Sequence, residues 1–198
     1  MQASAGTNGK AGLLIRTQNC SATVGGSCVA CSGAGQKASR ITFSELLNND
    51  NSSDIVPRFA PVTNNSVVFG PHDHSDLLGT EDPRVAYDAA SGIYYMFYTC
   101  YGDGGRGSVL PTHGGNRAGQ TRTYTLCLAT TSDPTSNRWT RHGAAFPGEH
   151  KSGAMLIRDS PPHYLISGAG RIMISKTSNL LNWTLVSILQ TLSADASS

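Results

Sequence analysis

The sequence predicts an all-β chain, a β-propeller made of repeated four-stranded antiparallel sheets. Three observations predict it. Short runs rich in Val, Ile, Tyr, Phe and Thr recur between turn residues, while helical periodicity is nearly absent. Glycine is abundant (22 residues) and only 14% of residues are charged, which excludes a helical bundle or coiled coil. The stretch Leu128-Ala-Thr-Thr-Ser-Asp-Pro-Thr-Ser-Asn-Arg-Trp139-Thr matches Ile174-Ser-Lys-Thr-Ser-Asn-Leu-Leu-Asn-Trp183-Thr in pattern, with the tryptophans 44 residues apart. That period suits one propeller blade. The alternative is an ordinary β-sandwich whose turns look alike.

The strands are expected in order. Gly12-Leu-Leu-Ile-Arg16 comes first, then Ser27-Cys-Val-Ala-Cys31, Ile41-Thr-Phe43 and Asn65-Ser-Val-Val-Phe69. Arg84-Val-Ala-Tyr87 and Ile93-Tyr-Tyr-Met-Phe-Tyr-Thr99 are joined by Asp88-Ala-Ala-Ser-Gly92, whose residues favour a tight turn. Thr123-Tyr-Thr-Leu-Cys-Leu-Ala129 and Arg138-Trp-Thr140 follow a long loop, and Ala154–Ile157, Tyr164–Ile166, Arg171–Ile174 and Trp183–Val186 complete the pattern. Ser44-Glu-Leu-Leu-Asn48 has room for at most a turn or two of helix. The blade-like units fall at about 12–70, 81–143 and 150–187, with a flexible tail over 188–198.

Charge and composition exclude several classes. Fifteen Lys and Arg against thirteen Asp and Glu give a net charge of +2, with no basic cluster to act as a footprint for nucleic acid. No apolar stretch approaches the roughly 20 residues of a membrane span. The first ten residues lack the charged and apolar regions of a signal peptide. Four sequons, at Asn19, Asn51, Asn64 and Asn182, leave secreted and cytoplasmic locations both open.

Five cysteines are present. Cys28-Val-Ala-Cys31 has the spacing of half a zinc site, but no second half follows, so no metal is expected. Small buried residues, or a disulfide with Cys20, are the readings that remain. Cys100 and Cys127 would face each other if their two runs pair as a hairpin. His72 and His74, in Pro71-His-Asp-His-Ser-Asp76, lack a third ligand and read as a solvated loop. Gly102-Asp-Gly-Gly-Arg-Gly107 lacks the ending and context of a phosphate-binding loop and reads as a flexible insertion. Trp139 and Trp183 are expected to pack between blades rather than to act as sugar platforms.

The densest polar cluster is Gly79-Thr-Glu81-Asp82-Pro83-Arg84-Val85. Two adjacent acids precede a proline, which is expected to hold Asp82 in an extended backbone. A carboxylate beside an arginine at a strand start can serve as a general acid or a substrate anchor. The competing reading is a surface turn whose Asp–Arg pair contributes little.

These residues, taken with Tyr94-Tyr-Met-Phe-Tyr-Thr99, Leu128-Ala-Thr-Thr-Ser-Asp133, Trp139-Thr-Arg-His-Gly143 and His150-Lys-Ser-Gly-Ala154, resemble glycoside hydrolase family 130. The family consists of five-bladed propellers that include the β-mannoside phosphorylases. The resemblance implies that Asp82 is the general acid that protonates the glycosidic oxygen, through a sugar hydroxyl. It implies that Glu81 and Arg84 fix the sugar, and that Arg16 and Lys151 line the subsite for phosphate. Arg117 and Arg122, in the loop before the next strand, are cations that the resemblance does not align. The implied reaction is inverting phosphorolysis, or hydrolysis, of β-mannosides or related oligosaccharides. It needs no cofactor, and inorganic phosphate is co-substrate in a phosphorylase.

Two departures bear on this. Ser152 stands where the family has Asp, and Ser167-Gly-Ala169 where Arg is frequent. A hydrolase would need a second carboxylate about 6.5–9.5 Å from Asp82; Asp73, Asp76, Asp103 and Glu149 are the acids available. A catalytically inactive propeller fragment that binds glycans or proteins is the alternative function. At roughly 40–60 residues per blade, 198 residues hold about three, so the chain is expected to be part of a larger ring.

Overall fold

The computed structural model describes residues 4–5, 11–17, 23–24, 27–28, 39–47, 57–102, 123–146, 150–168 and 170–189. Within them the chain runs β1 (Ser4–Ala5), β2 (Ala11–Thr17), β3 (Thr23–Val24), β4 (Ser27–Cys28), β5 (Arg40–Leu47) and β6 (Arg58–Phe59). A 3-10 turn at Asn64–Ser66 leads into β7 (Val67–Phe69). Then come β8 (Gly79–Asp88), β9 (Ile93–Gly102), β10 (Thr123–Thr131) and β11 (Thr140–Ala144). The last four are β12 (Ala154–Leu156), β13 (His163–Ser167), β14 (Ile172–Thr177) and β15 (Thr184–Leu189). All strand pairs within the sheets are antiparallel.

Three sheets result. The first has the order β1-β2-β5-β6, with β7 also on β5; the middle and last are four-stranded meanders, β8 to β11 and β12 to β15. A short β3–β4 ribbon stands apart. The architecture is thus all-β with four-stranded antiparallel sheets, as the strand pattern predicts.

The middle sheet is covered on both faces, which explains why β9 reads as an almost unbroken apolar run rather than an alternating one. Its side chains still alternate. Met96, Tyr98 and Cys100, with Cys127 and Ala129 of β10, pack on Ile41, Val68 and Phe69 of the first sheet. Tyr95 and Phe97, with Leu126 and Leu128, pack on Leu165 and Leu180 at the last sheet.

The tryptophan repeat has a structural counterpart. Trp139 meets Phe69 edge-on, with ring centroids 5.8 Å apart, and Trp183 meets Phe97 in the same way at 5.6 Å. Each tryptophan lies just before the outer strand of its sheet and reaches back to the preceding sheet. They are packing residues. The preceding turns repeat as well. Thr131 Oγ1 accepts from the Asp133 amide (3.1 Å) and Thr177 Oγ1 from the Asn179 amide (3.2 Å). Asp133 Oδ1 then accepts from Thr135 N, and Asn179 Oδ1 from Asn182 N. These are Asx-type turns, fixed by short side chains bonding to nearby backbone.

The β9–β10 hairpin forms, and Cys100 and Cys127 are joined by a disulfide. Cys127 lies opposite Tyr98 and Cys100 opposite Thr125, so the two cysteines are diagonal neighbours on one face. Cys20 and Cys31, the Gly-rich insertion 103–107, Arg117, Arg122, Asp103, Glu149 and residues 190–198 lie outside the described residues.

One expectation is corrected here. Ser44–Leu47 is not helical: it continues β5, because Gly12 pairs with Glu45 on one side and Phe59 with Leu46 on the other. Ser44 Oγ also donates to Ala60 O at 2.6 Å. Pairing on both edges outweighs the weak helical preference of a short Glu-Leu-Leu segment.

Phe97 is fully buried and its ring carries the contact between two sheets. Phe97→Ala should therefore cost about 3–5 kcal/mol in urea unfolding at constant m-value. Replacing Cys100 and Cys127 together by Ser should cost about 2–4 kcal/mol by the same measurement.

Candidate functional site

β8 begins on a buried anchor. Thr80 donates through both its amide (3.0 Å) and its hydroxyl (3.1 Å) to the Ser39 carbonyl. Against β9 the strand then slips: Glu81 lies opposite Thr99 but Arg84 opposite Phe97, so three steps on β8 match two on β9. The extra residue makes a bulge at Asp82-Pro83, a place where a proline removes no ladder hydrogen bond.

Asp82 takes a φ of +50° there. The extended backbone expected before a proline is not found: the bulge turns Asp82 into the left-handed region, which Asp tolerates better than most residues. Ser152, beside Lys151, has a φ of +53°. Two of the three left-handed non-glycine residues described thus lie at or next to predicted site positions, and such strain concentrates at functional sites.

The bulge brings three predicted residues together. Arg16 Nη2 donates to Glu81 Oε1 at 2.9 Å and Arg16 Nη1 to Asp82 Oδ1 at 3.1 Å, so one guanidinium bridges two adjacent carboxylates. Glu81 Oε1 also accepts from Ser39 Oγ at 2.9 Å. Glu81 is the more enclosed, its side chain 19% exposed against 36% for Asp82 and 37% for Arg16. Glu81 is therefore held from two sides, and Asp82 faces outward.

The other two predicted residues are engaged elsewhere. Arg84 is exposed, and its Nη1 donates to the Pro83 carbonyl at 3.0 Å. Lys151 Nζ sits 4.2 Å above the Tyr124 ring, a cation–π contact. Its backbone pairs with Gly168 just before β12, which packs against β8. Lys151 thus borders the same strand without bonding to the carboxylates.

Sequence reasoning missed two features. Ser39 is buried and reaches Glu81 across 42 positions, a separation at which no local motif signals a partner. Asp76 is no solvated acid available to activate water. Its side chain is 1% exposed, it accepts the amides of His72 (2.7 Å) and Asp73 (3.2 Å), and it is ion-paired with Arg141. Arg141 also donates to Gly70 O and to Tyr98 Oη and lies over the Phe69 ring. Burial pushes the Tyr98 hydroxyl far above its ordinary range, so it stays protonated. Hydrogen bonds from Ser75 hold the Asp73 carboxyl below the usual range.

Among the described residues no three His, Cys, Asp or Glu side chains gather where they could hold a metal. A surface hollow of about 550 Å³ lies between Phe69, His72, Asn137, Trp139 and Arg141, and neither Glu81 nor Asp82 lines it. The carboxylate pair, not this hollow, is the chemically equipped place.

The fold is shared with longer solved structures. A glycosyl hydrolase from Bacteroides ovatus matches with a TM-score of 0.58 and 20% identity, over 91% of this chain and 46% of that one. A protein from Bacteroides thetaiotaomicron VPI-5482 matches with a TM-score of 0.59 and 22% identity, over 93% of this chain and 48% of that one. A structure from the GH130 family of mannoside phosphorylases, which contains glycoside hydrolases that target β-1,2 mannosidic linkages in Candida mannan, matches with a TM-score of 0.58 and 23% identity, over 90% of this chain and 46% of that one. No family profile and no curated protein sequence matches the chain. The chain spans about half the length of the solved structures it matches, and it has their fold over that half.

Removing one partner of the buried Asp76–Arg141 pair should cost about 3–5 kcal/mol, because the remaining charge is stranded. Chemical denaturation of Asp76→Asn and Arg141→Met measures it. At the bulge, Asp82→Gly should be more stable than Asp82→Ala by about 1 kcal/mol, the penalty of a Cβ in left-handed backbone.

Proposed function

We propose that the chain is the portion of a GH130-type carbohydrate-active enzyme that bears the general acid, and that Asp82 is that acid. The three sheets serve as blades of a five-bladed propeller, in units of about 12–70, 81–143 and 150–187, the last strand running on to Leu189. The reaction is inverting phosphorolysis, or hydrolysis, of β-mannosides or related oligosaccharides.

The observation that carries this reading is the bulge at Asp82-Pro83, which presents one carboxylate outward while Ser39 and Arg16 hold its neighbour. A general acid needs a fixed position and an accessible oxygen. Asp82 has both, and the shared fold supports placing the chemistry at this strand. Glu81 positions Arg16 and the sugar. Arg16, Arg84 and Lys151 supply positive charge for an incoming phosphate, which arrives ionised and needs no general base.

Incubating the protein with β-mannosides, with and without phosphate, and following release of mannose 1-phosphate or free mannose tests the reading. Asp82→Asn should lower the rate about 10²–10⁴-fold. Activity unchanged in that variant would remove Asp82 from the role. Glycan binding without turnover under either condition would replace the enzyme by a binding module. Phosphate should also raise the melting temperature, and Arg16→Gln should abolish the shift.

A further inference from the structure

One sequence pattern plays no part in the proposed reaction. Asn64-Asn-Ser66 and Asn182-Trp-Thr184 are the two Asn-x-Ser/Thr triplets within the described residues, and both asparagines are exposed. In a chain rich in Ser, Thr and Asn such triplets arise often, so the pattern alone assigns nothing. Two structural observations add to it.

The first is placement. Asn64 opens the 3-10 turn that leads into β7, and β7 pairs with β5 on the edge away from β2, the strand of Arg16. Asn182 lies in the Asx turn that leads into β15, three strands from β12. Both asparagines thus stand away from the sheet edges that carry or border Arg16 and Asp82. A bulky glycan at either one leaves the carboxylates open. Their exposure belongs to the turns themselves. Asn182 corresponds to Arg138, one residue before the repeated tryptophan, and Arg138 is exposed in a sheet covered on both faces. The turn at Asn64 lies beside the middle sheet, since Asn65 and Ser66 share a hollow with Thr135.

The second observation is the disulfide. Cys100 and Cys127 are 0% and 1% exposed and join the two strands on which the outer sheets pack. A pair this deep is structural, and it forms while the hairpin is still accessible. Both thiol hydrogens and two electrons then pass to a protein disulfide, which leaves as two thiols. Structural pairs of this kind belong to oxidising compartments, the secretory lumen among them. Asparagine glycosylation takes place in that lumen. The compartment is read from the buried pair, not from the first residues of the chain.

We propose that Asn64 and Asn182 are N-glycosylated, in the oxidising secretory compartment in which the Cys100–Cys127 pair forms. The donor is an oligosaccharide carried on a lipid diphosphate. Asparagine Nδ2 attacks its anomeric carbon, and the N–C1 bond forms as the C1–O bond breaks. The lipid diphosphate leaves with that bond's electron pair, and one amide proton is lost to a base. This chain supplies the acceptor amide and the hydroxyl two residues on, Ser66 or Thr184.

Expressing the full chain behind a secretory leader in a eukaryotic host tests this without an enzymatic assay. Peptide mass spectrometry is applied to retained and secreted chain alike, after peptide N-glycosidase, which leaves aspartate where a glycan stood. Positions 64 and 182 should both read as aspartate. Thr184→Ala should abolish the conversion at 182 and leave that at 64. Transfer to a chain needs no folded acceptor, so a variant that misfolds still reports its sites. Asparagine unconverted at either position overturns the assignment there, and at both it overturns the proposal. In the secreted chain, Cys100 and Cys127 should resist alkylation after denaturation until a reductant is added. Free thiols at both positions would overturn the compartment.

Discussion

The β9–β10 hairpin has no side facing water, and the rest of the fold is arranged around that constraint. One face of it takes Ile41, Val68 and Phe69, and the other takes Leu165 and Leu180. Neither outer sheet has a core without it. A disulfide fixes the end of the hairpin, and it joins side chains that strand register already places on one face. Its buried aromatics dominate the apolar contribution, at about 4–6 kcal/mol each before the entropy of ordering is charged against them. The first sheet departs from the four-stranded meander that the middle and last sheets share.

The candidate site inherits its geometry from this hairpin. β8 is the edge strand of the middle sheet, paired with β9, so any irregularity in β8 is measured against a rigid partner. A one-residue slip on a mobile strand would relax by sliding. Against β9 it cannot, because sliding by one residue would exchange the two faces of a doubly buried sheet. The slip is instead stored locally, as the bulge and the left-handed Asp82. Ser39 adds to the restraint, since its carbonyl takes two bonds from Thr80 and its hydroxyl holds Glu81. The strained residue is flanked by well-anchored ones, which is what lets such strain persist.

That division also explains what could be read from the sequence. Strand order, the hairpin, the cysteine pair and the packing tryptophans follow from period-two patterning and turn residues, which are local signals. The Arg16–Glu81–Asp82 group came from a family likeness, since 65 and 66 positions separate its partners. Three features depended on pairing that no local rule encodes. Ser44–Leu47 is extended because strands flank it on both edges. Asp82 is left-handed because β8 carries one residue too many against β9. Asp76 is buried because Arg141, from the outer strand of the middle sheet, folds back over Phe69 to meet it.

The charges at the bulge set a further condition on any anionic co-substrate. Two carboxylates share one guanidinium there, so an oxyanion approaching Asp82 meets a site with excess negative charge. A guanidinium has five N–H donors, and these two bonds use only two of them. Arg16 can accept an anion on its remaining edge without releasing either carboxylate. One cation is still too few for three acidic groups. Arg84 and Lys151 are the residues able to supply the balance, and both are held by weak contacts, a carbonyl and an aromatic face, that an ionised phosphate outcompetes. Under the proposed function, their rest positions off the carboxylates leave both cations available to a phosphate. Arg16, already shared between Glu81 and Asp82, offers an anion only its remaining N–H donors.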